Sequence, residues 1–139
     1  MKHILTYSIL IFTLLFFANI GPAAKDDSLV LKGPYMGQKP PGKIPEIFAP
    51  GFISTEKREL NSVFSPGGKE FYYAISVPGK GYKIYVTKEL KNGWKQPRPV
   101  SFLGNRSDVD MCITYDGKRM YFGSNRPVNG VAQDDFKIW

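Results

Sequence analysis

The chain of 139 residues is poor in the residue types on which most catalytic chemistry depends. It has one cysteine, Cys112. No intrachain disulfide can form, and a single thiol cannot build a thiolate zinc site, so the fold must hold by its own core. Its one histidine is His3. That residue lies in an N-terminal leader, and removal of the leader leaves no imidazole for a Ser-His-Asp triad, a His-ligated metal or a histidine base. Gly-x-Ser-x-Gly is missing, which removes the nucleophile elbow. The Gly-x-x-x-x-Gly-Lys spacing at Gly37 to Lys43 is followed by Ile44 where a phosphate loop needs Ser or Thr, with Pro40 and Pro41 lacking the backbone N–H groups that cradle phosphate. No metal, no cofactor and no enzymatic activity are expected.

The leader itself has a simple layout. Lys2 and His3 precede an apolar run from Ile4 to about Ile20, then Gly-Pro-Ala-Ala comes before Lys25, Asp26 and Asp27. This is the pattern of a secretory signal peptide over residues 1–24, with cleavage near Ala23 or Ala24 and a periplasmic or secreted product. If uncleaved, the same run would be the chain's one link to a membrane. Cys112 sits in the strand-like run Met111-Cys112-Ile113 and is expected to be buried.

The formal net charge is +7, of which the leader takes Lys2, leaving about +6. Lys80, Lys83, Lys88, Lys91 and Lys95 are spread through strand and turn segments, without an RNP-type aromatic motif, a zinc finger or a basic helix. No nucleic-acid partner is expected; a solvated basic face is the default, with anionic polymers or headgroups as the alternative. Residues 25–46 are rich in Pro and Gly and have no sustained period. Pro40-Pro41 favours an extended path, read as a linker lying over or beside the folded part.

The informative feature is an internal echo. FSPGGKEFYY at residues 64–73 returns as ITYDGKRMYF at 113–122, with Gly68, Lys69 and Tyr72 recurring as Gly117, Lys118 and Tyr121. Residues 50–76 align with 99–125 at a constant offset of 49, pairing Asn61 with Asp110; beyond a small insertion, YKIYV at 82–86 corresponds to FKIW at 136–139. Each unit reads as four short strands joined by turns, with Asn92-Gly93 and Asp116-Gly117 supplying residues that tolerate positive φ. In EFYYAIS, Phe71, Tyr73 and Ile75 fall on one face, Tyr72 and Ala74 on the other. A strand that is apolar on both faces is covered on both sides, as in stacked sheets. The expectation is an all-β chain of antiparallel four-stranded β-propeller blades, about two of them: blade 1 at about 58–103 and an incomplete blade 2 at about 107–139 within a folded part spanning 47–139.

These segments, with GSNRP and DFKIW, resemble the TolB-type β-propeller repeat, and GQKPPGKIPEIFAPGFIST is similar to the opening segment of exported bacterial proteins of that kind. The resemblance covers roughly residues 35–139. It departs from the pattern at Gly67, where the repeat has Asp, and at Tyr115, where it has Pro. The resemblance implies a non-catalytic exported module that binds a protein or a cell-envelope component. The alternative is the N-terminal propeller part of an exported hydrolase, acting on peptides or polysaccharides, whose catalytic region lies outside this chain. Propellers close with about four to eight blades, so the chain reads as a truncated member with an additional strand near Glu46 to Ile53.

Three residues are candidate ligand contacts. Asp108 and Asp110, two apart in a strand and so on one face, suit an acid/base pair or a hard cation, or else bond backbone N–H groups. Arg126 suits an anionic ligand, or else pairs with Asp135 or caps its turn. For Asp134 and Asp135, before FKIW, the resemblance implies a place in the repeat signature and so a structural role. Tyr72, Tyr73, Tyr85, Tyr121, Phe122 and Trp139 suit a sugar-stacking platform, but their recurrence with the repeat favours core packing, as it does for Trp94.

Overall fold

The structure is a computed structural model and describes residues 30–102 and 104–139. The leader at 1–24 lies outside the described residues. Among the described residues no helix is long and apolar enough to cross a membrane.

The fold is all-β, with two antiparallel sheets. In the first, β1 (Glu59–Phe64), β2 (Glu70–Val77) and β3 (Gly81–Leu90) form a meander. The fourth position is shared by two short strands, β4 (Gly93–Trp94) and β5 (Arg98–Pro99), both paired with β3. The second sheet is β6 (Asp108–Ile113), β7 (Met120–Ser124) and β8 (Lys137–Ile138).

Turn chemistry sets these boundaries. The β1–β2 hairpin closes when the Gly68 N–H donates to the Ser65 carbonyl at 2.8 Å, with Gly68 at φ 66. Its counterpart in the second sheet repeats the geometry: Gly117 N–H donates to the Thr114 carbonyl at 2.8 Å, with Gly117 at φ 70. Positive φ costs glycine nothing, which is why both turns carry it at that place. The strands between the turns draw on aromatic and β-branched residues that fit a pleated, covered surface.

The echo extends to register. Ile75 opposes Lys83 and Ala74 opposes Ile84 in the first sheet; Ser124 opposes Lys137 and Gly123 opposes Ile138 in the second. The pairs are related by the same alignment that matches YKIYV with FKIW. Both leading strands also shift register in the same place, between Leu60 and Ser62 and between Val109 and Cys112. Asn61 and Asp110, the residues at the shifts, have φ 39 and 55.

The bulge corrects two expectations at once. In an unbroken strand Asp108, Asp110 and Cys112 share a face, but one inserted residue reverses the alternation. Met111 therefore packs into the core between the sheets, whereas Asp110 and Cys112 are exposed. Cys112 faces outward beside its cross-strand partner Tyr121, itself 40% exposed, so the expected burial of the thiol does not occur.

Both faces of the first sheet are covered. Ala74 and Ile84 pack with Val109, Met111 and Phe122 in the core between the sheets. On the other face, Phe71, Tyr73, Ile75 and Trp94 pack against Met36, Ala49, Phe52 and Ile53 of the N-terminal segment. Burial of large apolar side chains such as these is worth about 1.5–3 kcal/mol each. Where a strand was expected, Glu46 to Ile53, there is a turn instead: Phe52 and Ile53 N–H groups both donate to the Ala49 carbonyl, at 3.0 and 2.8 Å.

The segment before that turn is tied to the sheet by polar contacts as well. Trp94 donates its backbone N–H to the Leu31 carbonyl at 2.8 Å and its Nε1–H to the Gly33 carbonyl at 2.9 Å. The Gly33 N–H donates to Glu89 Oε1 at 2.9 Å. Gly93, at φ 110, permits this approach, because a Cβ there would stand 2.5 Å from the Leu31 oxygen. A tight turn, Pro34–Gly37, then places Met36 in the core with 1% exposure.

Candidate functional site

Asp108 and Arg126, 18 residues apart in sequence, meet at the end of the second sheet. Asp108 opens β6 opposite Ser124, the last residue of β7, and Arg126 follows two residues later. Arg126 Nη2 donates to Asp108 Oδ1 at 2.9 Å, and its Nε donates to Ser124 Oγ at 3.0 Å. The guanidinium carbon lies 4.8 Å from the Phe122 ring centroid and 5.2 Å from that of Trp139. Stacking and ion pairing both use the planar, weakly hydrated guanidinium, which lysine would not replace.

This arrangement departs from the expected one. Arg126 pairs with Asp108; Asp134 and Asp135 are exposed. The two candidate carboxylates differ in setting: Asp108 is fully buried and Asp110 stands exposed on the bulge. Asp108 Oδ2 is buried without a hydrogen-bond partner among the described residues. Among those residues no three His, Cys, Asp or Glu side chains gather as a metal-binding group would require.

Lys83 completes this end of the fold, although in sequence it reads as one more solvated lysine. It is 8% exposed, and its Nζ donates to the carbonyls of Gly104, at 2.8 Å, and Arg106. Burial holds its pKa below the ordinary lysine value, against the opposing pull of the Asp108 carboxylate. Ser107 links the sheets: its Oγ accepts the Tyr82 N–H at 2.9 Å and its N–H donates to Asn125 Oδ1 at 2.9 Å. The polar groups here are engaged in holding the second sheet to the first.

A different place has open space. Between the first sheet and residues 38–48 lies a groove of about 520 Å3. That volume falls in the range of about 300–1,000 Å3 typical of ligand sites. Gln38 clasps the loop at its base, donating from Nε2 to the Ile47 carbonyl at 3.1 Å and accepting the Ala49 N–H at Oε1 at 2.6 Å. Lys39 and Glu46 form an ion pair across it at 2.9 Å. Pro40, Pro41 and Pro45 stiffen the path between.

The floor of the groove is aromatic. Phe64 and Phe71 sit with centroids 4.7 Å apart, Phe48 lies 5.1 Å from Phe71, and Tyr35 packs edge-on to Phe64 at 6.2 Å. One side is the chain from Ser62 to Phe64, in the outermost strand of its sheet. The rim carries Lys43, exposed and in no ion pair among the described residues, and Ile44 and Ile47 at 78% and 70% exposure. Sequence reasoning passed over these residues by treating 25–46 as a linker. The signal was available in the two apolar residues at 44 and 47, bracketed by prolines, just ahead of Phe48.

The aromatic positions divide between core and surface. Tyr73, Phe122 and Trp94 are 3%, 7% and 3% exposed and belong to the packed interior. Burial raises the Tyr73 pKa well above the ordinary phenol value, and the Tyr72 hydroxyl is raised first by burial and then by its bond to Glu70. Scans against family models, curated proteins and solved structures returned no match.

Proposed function

We propose that the chain is a non-catalytic binding module of an exported, propeller-type repeat protein, taking a protein or cell-envelope component as its ligand. The observation that carries the reading is the groove beside β1: an aromatic floor, a clasped proline-containing loop and a lysine at the rim make a surface for binding. Its lining offers Glu46 as its one carboxylate, already paired with Lys39. The repeat in register, with its matched bulges and turns, supports sheets of one kind laid side by side, as propeller blades are. The resemblance of FSPGGKEFYY and ITYDGKRMYF to TolB-type repeats supports the same architecture and an exported setting.

The test is direct. Purified protein on a sensor surface is expected to bind an envelope protein or polymer saturably, and to leave peptide and glycoside substrates unchanged in solution. Turnover of either substrate by the purified chain would overturn the reading.

A further inference from the structure

β1 has a free edge. It pairs with β2 on one side, and among the described residues no backbone hydrogen bond joins it to the loop at 38–48 that faces it across the groove. The direction of its unpaired groups follows from the hairpin. The Ser65 N–H donates to the Glu70 carbonyl at 2.9 Å, so by the alternation of an antiparallel ladder Val63 bonds to β2, while Ser62 and Phe64 turn their N–H and C=O groups outward. Both of those residues line the groove. The bulge at Asn61 ends the straight edge, which confines pairing to residues 62–64.

Three features thus converge on one ligand geometry: two residues presenting backbone donors and acceptors in a row, an aromatic floor beside them, and the exposed ammonium of Lys43 at the rim. We propose that the groove binds an extended acidic peptide segment by strand addition to β1, seating one apolar side chain against Tyr35, Phe48, Phe64 and Phe71. Backbone pairing supplies affinity with little sequence demand, the aromatic floor selects a large apolar side chain, and Lys43 favours a carboxylate beside it. The inference rests on the binding-module reading and gives that module a partner chemistry.

The experiment uses the full chain and a fluorescein-labelled heptapeptide of alternating valine and threonine with a central phenylalanine and an aspartate at each end. Fluorescence anisotropy is expected to show saturable binding. Methylation of alternate backbone nitrogens in the peptide keeps every side chain but removes the ladder, and should weaken binding by more than about tenfold. Replacing the central phenylalanine by alanine should weaken it by about tenfold or more. Lys43→Glu, at an exposed position where folding is not at stake, should weaken it by about fivefold and flatten its salt dependence.

Equal binding of the methylated peptide would sink strand addition, and equal binding of the alanine peptide would sink the aromatic seat. If an envelope ligand binds the sensor-bound protein while the heptapeptide does not bind, the groove assignment falls and the module reading stands. If neither binds, both fall.

Discussion

Asn61 and Asp110 are offset by 49 residues and share a left-handed backbone, at φ 39 and 55, each at the register shift of the leading strand of its sheet. Asparagine and aspartate tolerate this region better than other non-glycine residues, and β-branched side chains tolerate it poorly. Asp110→Val is therefore expected to lower stability by about 1–2 kcal/mol, while Asp110→Gly stays within about 0.5 kcal/mol of the parent. Urea titration followed by tryptophan fluorescence measures both.

The same bulge sets the chemistry of Cys112. With the thiol outward, the folded protein should react with an aromatic disulfide reagent at a rate close to that of the unfolded chain. A rate reduced a hundredfold or more in the absence of denaturant, on the order expected for a buried thiol that reacts only on opening, would contradict the outward placement.

Gly93 controls the docking of the N-terminal segment. Gly93→Ala places a methyl group where the Leu31 carbonyl lies and forces alanine to φ 110. The expected cost is about 2 kcal/mol. The segment should loosen before the sheets do, because the hydrogen bonds of Leu31 and Gly33 to Trp94 and Glu89 go first. Limited proteolysis should cut ahead of Ala49 in the variant sooner than in the parent, with a red shift in Trp94 emission as its indole loses the Gly33 carbonyl.

Asp108 is fully buried, so loss of its partner strands a charge. Arg126→Met is expected to destabilise the chain by about 3 kcal/mol or more. Adding Asp108→Asn should recover part of that loss, since the neutral amide needs no counter-charge. A double-mutant cycle in guanidinium gives the coupling directly. Arg126→Lys should fall well short of the parent, because an ammonium cannot both stack on the rings and bridge Asp108 to Ser124.

Glu70 provides a pH dependence. Its hydrogen bond with Lys88, then that with Tyr72, hold its pKa below the ordinary 4.5, against the smaller effect of burial. A depressed carboxylate contributes stability that is fully present above its unfolded value and is lost as pH falls through the lower folded one. The pair is well solvated, so the contribution is about 0.5 kcal/mol. The stability difference between parent and Glu70→Gln should be of that size at pH 7 and shrink as the pH is taken down from 4.5. A difference independent of pH would show that ionisation of Glu70 contributes nothing to stability.

Much of the fold was legible because its determinants are local. Gly68 and Gly117 mark their turns, and Phe71, Tyr73 and Ile75 against Tyr72 and Ala74 announce a strand covered on two sides. Phase within a strand was harder to read. Asp108, Asp110 and Cys112 look like one face until a single residue is inserted, and the only sign of that insertion was the pairing of Asn61 with Asp110 across the echo. Long-range polar contacts were not legible at all. Nothing near Arg126 in sequence points to Asp108, and nothing in the linker-like run after Leu31 tells of Trp94, because such partners are chosen by the packing of the sheets. The groove went unread for the same reason: its floor belongs to two strands and its wall to a segment that carries no periodic signal.

The clasp made by Gln38 separates the shape of the loop's base from the identity of its tip. One amide group fixes both strands of the neck, so the residues between can be exchanged, or a reporter spliced in, without shifting Ala49 or the packing beneath it. Variation in that short cassette would retune what the rim favours while the scaffold stays as it is.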